Sequence, residues 1–229
     1  MPQACDTESY FRTLFNKDDA ELHGWSPQHT FPSGIELFRQ NEPAAQIYFI
    51  SSGMVKLSYT APNGKEMILG FRRRDWLLGV TQVCVEGEVY SATATTLTAC
   101  AIRQIPAKTF MEMLTRDIEL SVALNRMLSL EIKSDTEKII ALGSMPAGER
   151  LIRLLSEVVS SEDGEELRKR GSLDLPLKSE ELAELIAVTP QHLYRLLKDI
   201  RLRPHLKQGR KVLTIVDPLG LMQADSSKD

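Results

Sequence analysis

The chain has 229 residues, 42% of them hydrophobic, and a formal net charge of −3, which suits a globular protein with one large core or two modest ones. It has no stretch near the roughly 18 apolar residues of a membrane helix and no signal-peptide pattern at its start. We therefore expect a cytoplasmic protein that is not associated with a membrane. The three cysteines, Cys5, Cys84 and Cys100, lie far apart without CxxC spacing, which argues against a disulfide framework and a zinc site.

A short amphipathic helix is expected before residue 26, and it carries no recognisable chemistry. His23 and His29 fit helical ligand spacing poorly, so no metal site is expected. From Thr30 to about Ile105, short apolar or alternating runs are separated by turn residues, a pattern typical of an all-β sandwich or barrel. Asn63-Gly64 predicts the tip of a hairpin within this region.

Pro106 ends the strands, and a helical region is predicted from there to about Gly143. Its long helix carries an apolar stripe suited to pairing with a second copy of the chain. The predicted dimer interface consists of Leu120, Leu124, Met127, Leu128, Ile132 and Ile139. The alternative is that this stripe packs only against the chain's own β domain. The run Gly143-Ser144-Met145-Pro146 predicts a hinge before the next helix.

The segment Leu177 to Ile200 is predicted to form two short helices joined by a tight turn, each with one apolar face. Ser179 is the expected N-cap of the first helix, and Thr189 caps the second, with Pro190 at its first position. The connection is so short that the helices must cross steeply, as in a helix-turn-helix, with Ala183 as the small residue at the crossing.

Opposite its leucines, the second helix presents a polar face of Gln191, Tyr194, Arg195 and Lys198. Gln can pair with adenine and Arg with guanine in the major groove, so the face is suited to reading bases. The predicted base-reading residues are Gln191, His192, Tyr194 and Arg195. The alternative is an ordinary solvated helix face.

Charge distribution favours the DNA interpretation, because residues 190–216 contain seven Arg or Lys against Asp199 alone. This local charge of +6 leaves −9 on the rest of the chain and is typical of a phosphate-binding surface. After the second helix, Gln208-Gly209 predicts a turn, with a return strand at Val212 to Val216, which together form a wing. The predicted phosphate contacts are Thr189, Lys198, Lys207, Arg210 and Lys211.

Two sets of motifs resemble the Crp/Fnr family of bacterial transcription regulators. The first is PSG at 32–34, FRQ at 38–40 and IYFISSGMVKL at 47–57; the second is ELAELIAVT at 181–189 with RLL at 195–197. The resemblance implies an α+β fold: an N-terminal antiparallel β-roll of jelly-roll type (1–105), a long dimerisation helix and hinge (106–144), and a C-terminal winged helix-turn-helix (145–229). It also implies a homodimer that binds a two-fold-related operator in double-stranded DNA and contacts RNA polymerase.

The chain departs from the family in the pocket that binds a cyclic nucleotide in some members, which uses a Gly-Glu pair and an Arg-Ser pair. Here Val80 follows Gly79, and Tyr90 precedes Ser91. The candidate effector pocket comprises Gly79, Val80, Thr81, Tyr90 and Ser91. Because a phosphate would lack its arginine there, cyclic AMP is not expected; three scattered cysteines also argue against an iron–sulfur cluster. The effector is then another small molecule or none.

The reading helix departs from the family as well, because Pro190 and Gln191 stand where members often have Arg-Glu. Arg195 fits the family's usual guanine-reading arginine, so an operator with altered bases opposite Pro190 and Gln191 is predicted. Two alternatives stay open: a regulatory nucleotide-binding-like module whose C-terminal domain binds protein rather than DNA, and a redox switch at Cys84 and Cys100. An enzyme is not expected, because no nucleophile elbow, P-loop, metal motif or paired carboxylates are present.

Overall fold

The computed structural model describes Phe11 and residues 26–85, 89–160, 171–199, 202–209 and 212–226. The chain divides into two compact units, Met1–Ser134 and Asp135–Asp229, and the division falls inside one long helix. The first is called the β unit and the second the C-terminal unit. In the part of the chain that is described, no helix is long and apolar enough to cross a membrane.

The β unit contains two four-stranded antiparallel sheets, as the sequence predicted. Its strands are β1 (His29–Phe31), β2 (Glu36–Phe38), β3 (Gln46–Ser52), β4 (Met54–Thr60), β5 (Glu66–Arg73), β6 (Trp76–Leu78), β7 (Thr93–Thr96) and β8 (Cys100–Pro106). One sheet has the order β1-β8-β3-β6 and the other β2-β7-β4-β5. The predicted hairpin joins β4 to β5, and Gly64 at its tip has a φ of 80°, which only glycine adopts readily.

Between residues 26 and 144, the described part of the chain forms the helices α1 (Val80–Val83), α2 (Ala107–Arg116) and α3 (Ile118–Ser144). The predicted helical region is therefore two helices, and Asp117 starts the second. Its Oδ1 accepts hydrogen bonds from the amides of Glu119 (2.9 Å) and Leu120 (3.0 Å), which satisfies two of the free amides at the start of α3.

The first part of α3 packs against the β unit's own core, which is the alternative that the sequence left open for the apolar stripe. Leu120, Leu124 and Met127 are buried in a cluster that also contains Phe49 and Phe110. A side chain already buried in one chain has little surface left for a partner, which argues against a dimer contact at these three; their assignment to the interface stays a prediction. The partly buried Leu128 packs on the same cluster. Ile132 and Ile139 are exposed, and their role stays a prediction.

In its described residues, the C-terminal unit has four helices and a three-stranded antiparallel sheet of order β10-β11-β9. Its elements are α4 (Ala147–Ser160), β9 (Leu173–Leu175), α5 (Ser179–Leu185), α6 (Pro190–Leu196), β10 (Leu206–Gln208), β11 (Leu213–Ile215) and α7 (Pro218–Ser226). The predicted break before Pro146 is present, since α3 ends at Ser144 and α4 begins at Ala147. The second helix of the pair is shorter than predicted, because α6 ends at Leu196.

Candidate nucleic-acid interface

The first helix of the predicted pair, α5, begins one residue earlier than expected, with Lys178 as its N-cap. The carboxylate of Glu181 accepts a hydrogen bond from the Lys178 amide at 2.9 Å, so an acidic side chain satisfies a backbone donor at the positive helix end. Ser179 is thus the first helical residue, not the cap. Its hydroxyl accepts a hydrogen bond from Gln208 Nε2 at 2.9 Å instead.

The turn between α5 and α6 is tight and carries local strain. Ala187 has a φ of 51°, in the left-handed region that favours glycine. Its amide donates to the backbone carbonyl of Glu184 at 3.0 Å, and the Val188 amide donates to the backbone carbonyl of Ala183 at 2.9 Å. Ala183 is fully buried, which agrees with its predicted position at the close approach of the two helices.

The second helix, α6, begins as predicted, with Thr189 as N-cap and Pro190 at the first position. The Thr189 hydroxyl accepts a hydrogen bond from the His192 amide at 3.2 Å, which leaves its own proton available for an acceptor outside the protein. Leu193 is fully buried and anchors the inner face of α6. Cap and anchor together determine which side of the helix faces solvent.

The outer face of α6 consists of exposed side chains at the predicted positions. Gln191, Tyr194 and Arg195 are exposed, and His192 is half-buried. Lys198 follows the helix end, and its ammonium lies 4.1 Å from the centre of the Tyr194 ring, a cation–π contact. We name the set Gln191, Tyr194, Arg195 and Lys198 the reading face; its role in base recognition stays a prediction.

The predicted wing is present as the β10–β11 hairpin, with Leu206 opposite Ile215 and Gln208 opposite Leu213. Lys207 lies exposed on β10. Two other predicted phosphate contacts, Arg210 and Lys211, lie outside the described residues.

A cluster at the base of the wing has no counterpart in the sequence predictions. His205 Nδ1 lies 2.8 Å from Asp217 Oδ2, and Asp217 Oδ1 accepts the Gly220 amide at 3.0 Å. The hydrogen bond from the Gly220 amide, and after it the one with His205, hold the pKa of Asp217 below its usual value. Asp217 before Pro218 is the one local signal that predicts the start of α7, whereas its pairing with His205 depends on the tertiary fold.

In the β unit, Tyr90 of the candidate effector pocket is a core residue. Its ring stacks on Phe38 with 4.0 Å between ring centres. Its hydroxyl donates to the carbonyl of Gln46 at 2.6 Å and accepts from the amide of the same residue at 3.0 Å. Burial raises the pKa of Tyr90 above its usual value, so the phenol is neutral and its polar atom is satisfied by backbone.

The other pocket candidates lie around the start of α1. Gly79 has a φ of 82°, and a Cβ there would come within 2.9 Å of the Tyr90 ring, so the Gly79 backbone lies close against the ring and leaves no room for a side chain. Val80 is buried with them. Thr81 and Ser91 are exposed, and Ser91 Oγ accepts a hydrogen bond from Gln82 at 2.9 Å. The five candidates thus lie in one region, with two of them part of the core.

The two described cysteines differ in accessibility. Cys84 is exposed, and Cys100 is buried with its thiol bonded to the carbonyls of Met54 and Thr98, both at 3.3 Å. Desolvation raises the pKa of both thiols. Because the thiolate is the reactive form, the raised values disfavour facile oxidation at either cysteine. The redox switch stays an untested hypothesis.

Two family models match the chain. The cyclic nucleotide-binding domain matches residues 28–117, and the Crp-like helix-turn-helix domain matches residues 149–224.

Curated relatives are similar over most of their length. The global nitrogen regulator of Nostoc is 27% identical over 201 residues, which cover 83% of this chain and 89% of that protein. The cAMP-activated global transcriptional regulator CRP of Salmonella typhimurium is 23% identical over 170 residues, covering 74% and 80%. The transcriptional activator protein FnrA of Stutzerimonas stutzeri is 24% identical over 188 residues, covering 82% and 76%.

Solved structures share the fold. The c-di-GMP responsive global regulator CLP of Xanthomonas campestris has a TM-score of 0.67 at 21% identity, with 85% of this chain and 95% of that chain covered. FixK2 from Bradyrhizobium japonicum has a TM-score of 0.67 at 17% identity, covering 89% and 98%. Sheet order, the capped helix pair, the wing and both domain matches lead to one conclusion: the chain belongs to the Crp/Fnr family of DNA-binding transcription regulators.

Proposed function

We propose that this chain is a homodimeric, cytoplasmic regulator that reads a two-fold-related DNA site with the α6 reading face and responds to a signal other than cyclic AMP. The observation that carries the proposal is the exposed set Gln191, Tyr194 and Arg195 on a helix whose opposite side is anchored by the buried Leu193. A helix held in this way can enter the major groove without repacking its own core.

Base recognition follows from the chemistry of the exposed side chains. Arg195 can donate two parallel hydrogen bonds to guanine O6 and N7, and Gln191 can pair with adenine N6 and N7. The Tyr194 ring offers an apolar surface, and the Lys198 ammonium above it offers a positive charge. The ring can contact a base edge while the ammonium contacts the neighbouring phosphate. Thr189 and Lys207 are placed at the start of α6 and on the wing, where they can contact phosphate oxygens.

A second face of α3 supports the homodimer. Ile118 is 77% exposed and Ile132 68%, and Val122 is exposed as well. With the exposed Asn125 and Ser129, these residues recur along α3 at alternating intervals of four and three. This is the heptad spacing of the contact line between paired helices. Large apolar side chains this exposed indicate a contact surface, and a seam of this spacing is self-complementary to a second copy. The proposed interface is therefore the outer side of α3 in the β unit.

Two observations support a signal other than cyclic AMP. Residues 79–91 contain no Arg or Lys that could compensate a cyclic phosphate, and stranding that charge in a protein interior costs several kcal/mol. In addition, Tyr90 stacks on Phe38 and lies against Gly79 with its hydroxyl bonded to backbone, so the arginine position of the nucleotide-binding pattern is part of the core. These residues support the proposal that the signal is not cyclic AMP.

Selection of random DNA duplexes by the purified protein tests the proposal. We expect enrichment of a site with two inverted half-sites about 10 base pairs apart, each with a guanine, and a dimer in sedimentation experiments. Added cyclic AMP should leave affinity unchanged. Failure to enrich any sequence would favour a C-terminal unit that binds protein, and a monomeric protein on a single half-site would refute the dimer.

A further inference from the structure

Arg150 lies on the first turn of α4, and its guanidinium contacts two backbone carbonyls from different parts of the C-terminal unit. Nη1 donates to the carbonyl of Met145 at 2.7 Å, and Nε donates to the carbonyl of Ile186 at 3.0 Å. Met145 is in the link between α3 and α4. Ile186 is the C-cap of α5, directly before the strained turn at Ala187.

Both carbonyls are of the kind that a helix end leaves without a partner inside the helix. The guanidinium is planar and presents its donors in a fixed fork, so two carbonyls bonded to one arginine are held at a set distance and angle. Lysine offers a single ammonium without this fork and cannot reproduce that geometry. The link before α4 and the turn before α6 are consequently joined through one side chain.

We infer that Arg150 is a positioning residue for DNA reading: it fixes the turn at Ile186 relative to the link at Met145 and so sets the direction in which α6 presents its reading face. The inference rests on the proposed DNA-binding function. α6 starts only four residues after Ile186, at Pro190, so a displaced carbonyl at Ile186 displaces the whole short helix. Base contacts depend on such placement far more than phosphate contacts do.

Arg153, three residues further along α4, is a matched control. Its guanidinium pairs with the carboxylates of Glu137 (2.5 Å) and Glu157 (3.1 Å) and thus joins helices through side chains. Arg153→Ala removes the same charge and the same length of side chain from the same helix. It leaves the carbonyls of Met145 and Ile186 bonded to Arg150. A comparison of the two variants therefore separates positioning of the turn from general stability of α4.

The experiment compares wild type, Arg150→Ala, Arg150→Lys and Arg153→Ala in the full chain, with the DNA site selected by the wild type and a scrambled duplex of equal length. For both Arg150 variants we expect about a tenfold or greater loss of affinity for the selected site and less than about a twofold change for the scrambled duplex. Arg153→Ala should keep the preference for the selected site. Hydrogen exchange, measured without DNA, should become faster at the Ala187 and Val188 amides in the Arg150 variants only.

The outcomes are distinct. If the wild type selects no site, the proposed function fails, and the exchange data alone then decide the role of Arg150. If the wild type selects a site but Arg150→Ala and Arg153→Ala behave alike on both duplexes, or the turn amides exchange at the wild-type rate, the positioning role is overturned. If Arg150→Ala does not fold, Arg150→Lys, which retains the charge and the aliphatic stem, decides by the same two measurements.

Discussion

The hydroxyl of Tyr90 bonds to both backbone groups of Gln46, as donor to its carbonyl at 2.6 Å and as acceptor from its amide at 3.0 Å. A backbone amide and carbonyl that would otherwise need water or a sheet partner are thus satisfied by one buried phenol. Tyr90 therefore joins the start of β3 to the segment before β7 and completes the core beside Phe38.

Tyr90→Phe should destabilise the β unit by about 1–3 kcal/mol, because the ring still fits but two buried backbone groups lose their partner. Tyr48→Phe is the comparison: the Tyr48 hydroxyl donates to the backbone carbonyl of Leu37 at 2.9 Å and also contacts the Tyr90 hydroxyl. It removes the partner of one backbone group, where Tyr90→Phe removes the partner of two, so the loss should be smaller. Urea unfolding followed by fluorescence measures both. Equal losses would mean that the Gln46 contacts contribute little.

Ala187→Gly should stabilise the C-terminal unit by about 1 kcal/mol, because glycine adopts the positive φ of 51° without the steric cost that alanine meets. Ala183→Gly, four residues earlier in the interior of α5, should instead destabilise it by about 1 kcal/mol or more. Thermal unfolding of both variants is the measurement. A lower melting temperature for Ala187→Gly would contradict the left-handed turn.

Arg195→Ala should cost about 1–3 kcal/mol of binding free energy and relax the preference at one base position in each half-site, because it removes a bidentate base contact. Lys207→Ala should weaken binding to all sequences alike and lower the salt slope by about one, since a phosphate contact carries no sequence information. Lys211→Ala should act as Lys207→Ala does. Titrations at several salt concentrations separate the roles, which would be wrong if all variants changed specificity equally.

Ile132→Glu should dissociate the proposed dimer, because it places a charge on the outer seam of α3. Leu130→Glu is the matched control: Leu130 is 57% exposed, close to the 68% of Ile132, but lies about 160° around the helix from it. Sedimentation velocity should show a monomer for Ile132→Glu and an unchanged dimer for Leu130→Glu. The reverse result would move the interface to the other side of the helix.

Acid should destabilise the C-terminal unit through Asp217. The Gly220 amide and His205 lower the pKa of Asp217 in the folded chain, so its contribution is complete above the unfolded pKa, near 4, and is lost as pH falls through the lower folded value. Asp217→Asn should remove this part of the dependence in urea unfolding between about pH 2 and 6. His205→Gln should keep much of it, because the Gly220 amide is the larger cause. An unchanged pH profile in Asp217→Asn would assign the acid sensitivity elsewhere.

Local sequence signals determined the elements of the reading face. Thr189 and Pro190 predicted where α6 starts, and the spacing of its leucines predicted that Leu193 faces inward and Arg195 outward, because capping and helical periodicity act over a few residues. Asn63-Gly64 predicted its hairpin for the same reason. The two resembling motifs sufficed to predict the family.

Only the tertiary structure decided which apolar side of α3 is exposed. Leu120 and Ile132 look alike in the sequence, yet one is buried against Phe49 and the other is exposed, because the β unit covers one side of the helix. Arg150, with a bonding partner 36 residues away, and Tyr90, bonded 44 residues away, likewise carry no local signal. Hydrogen bonds and packing between distant segments depend on how the chain folds back on itself, which propensity and periodicity do not encode.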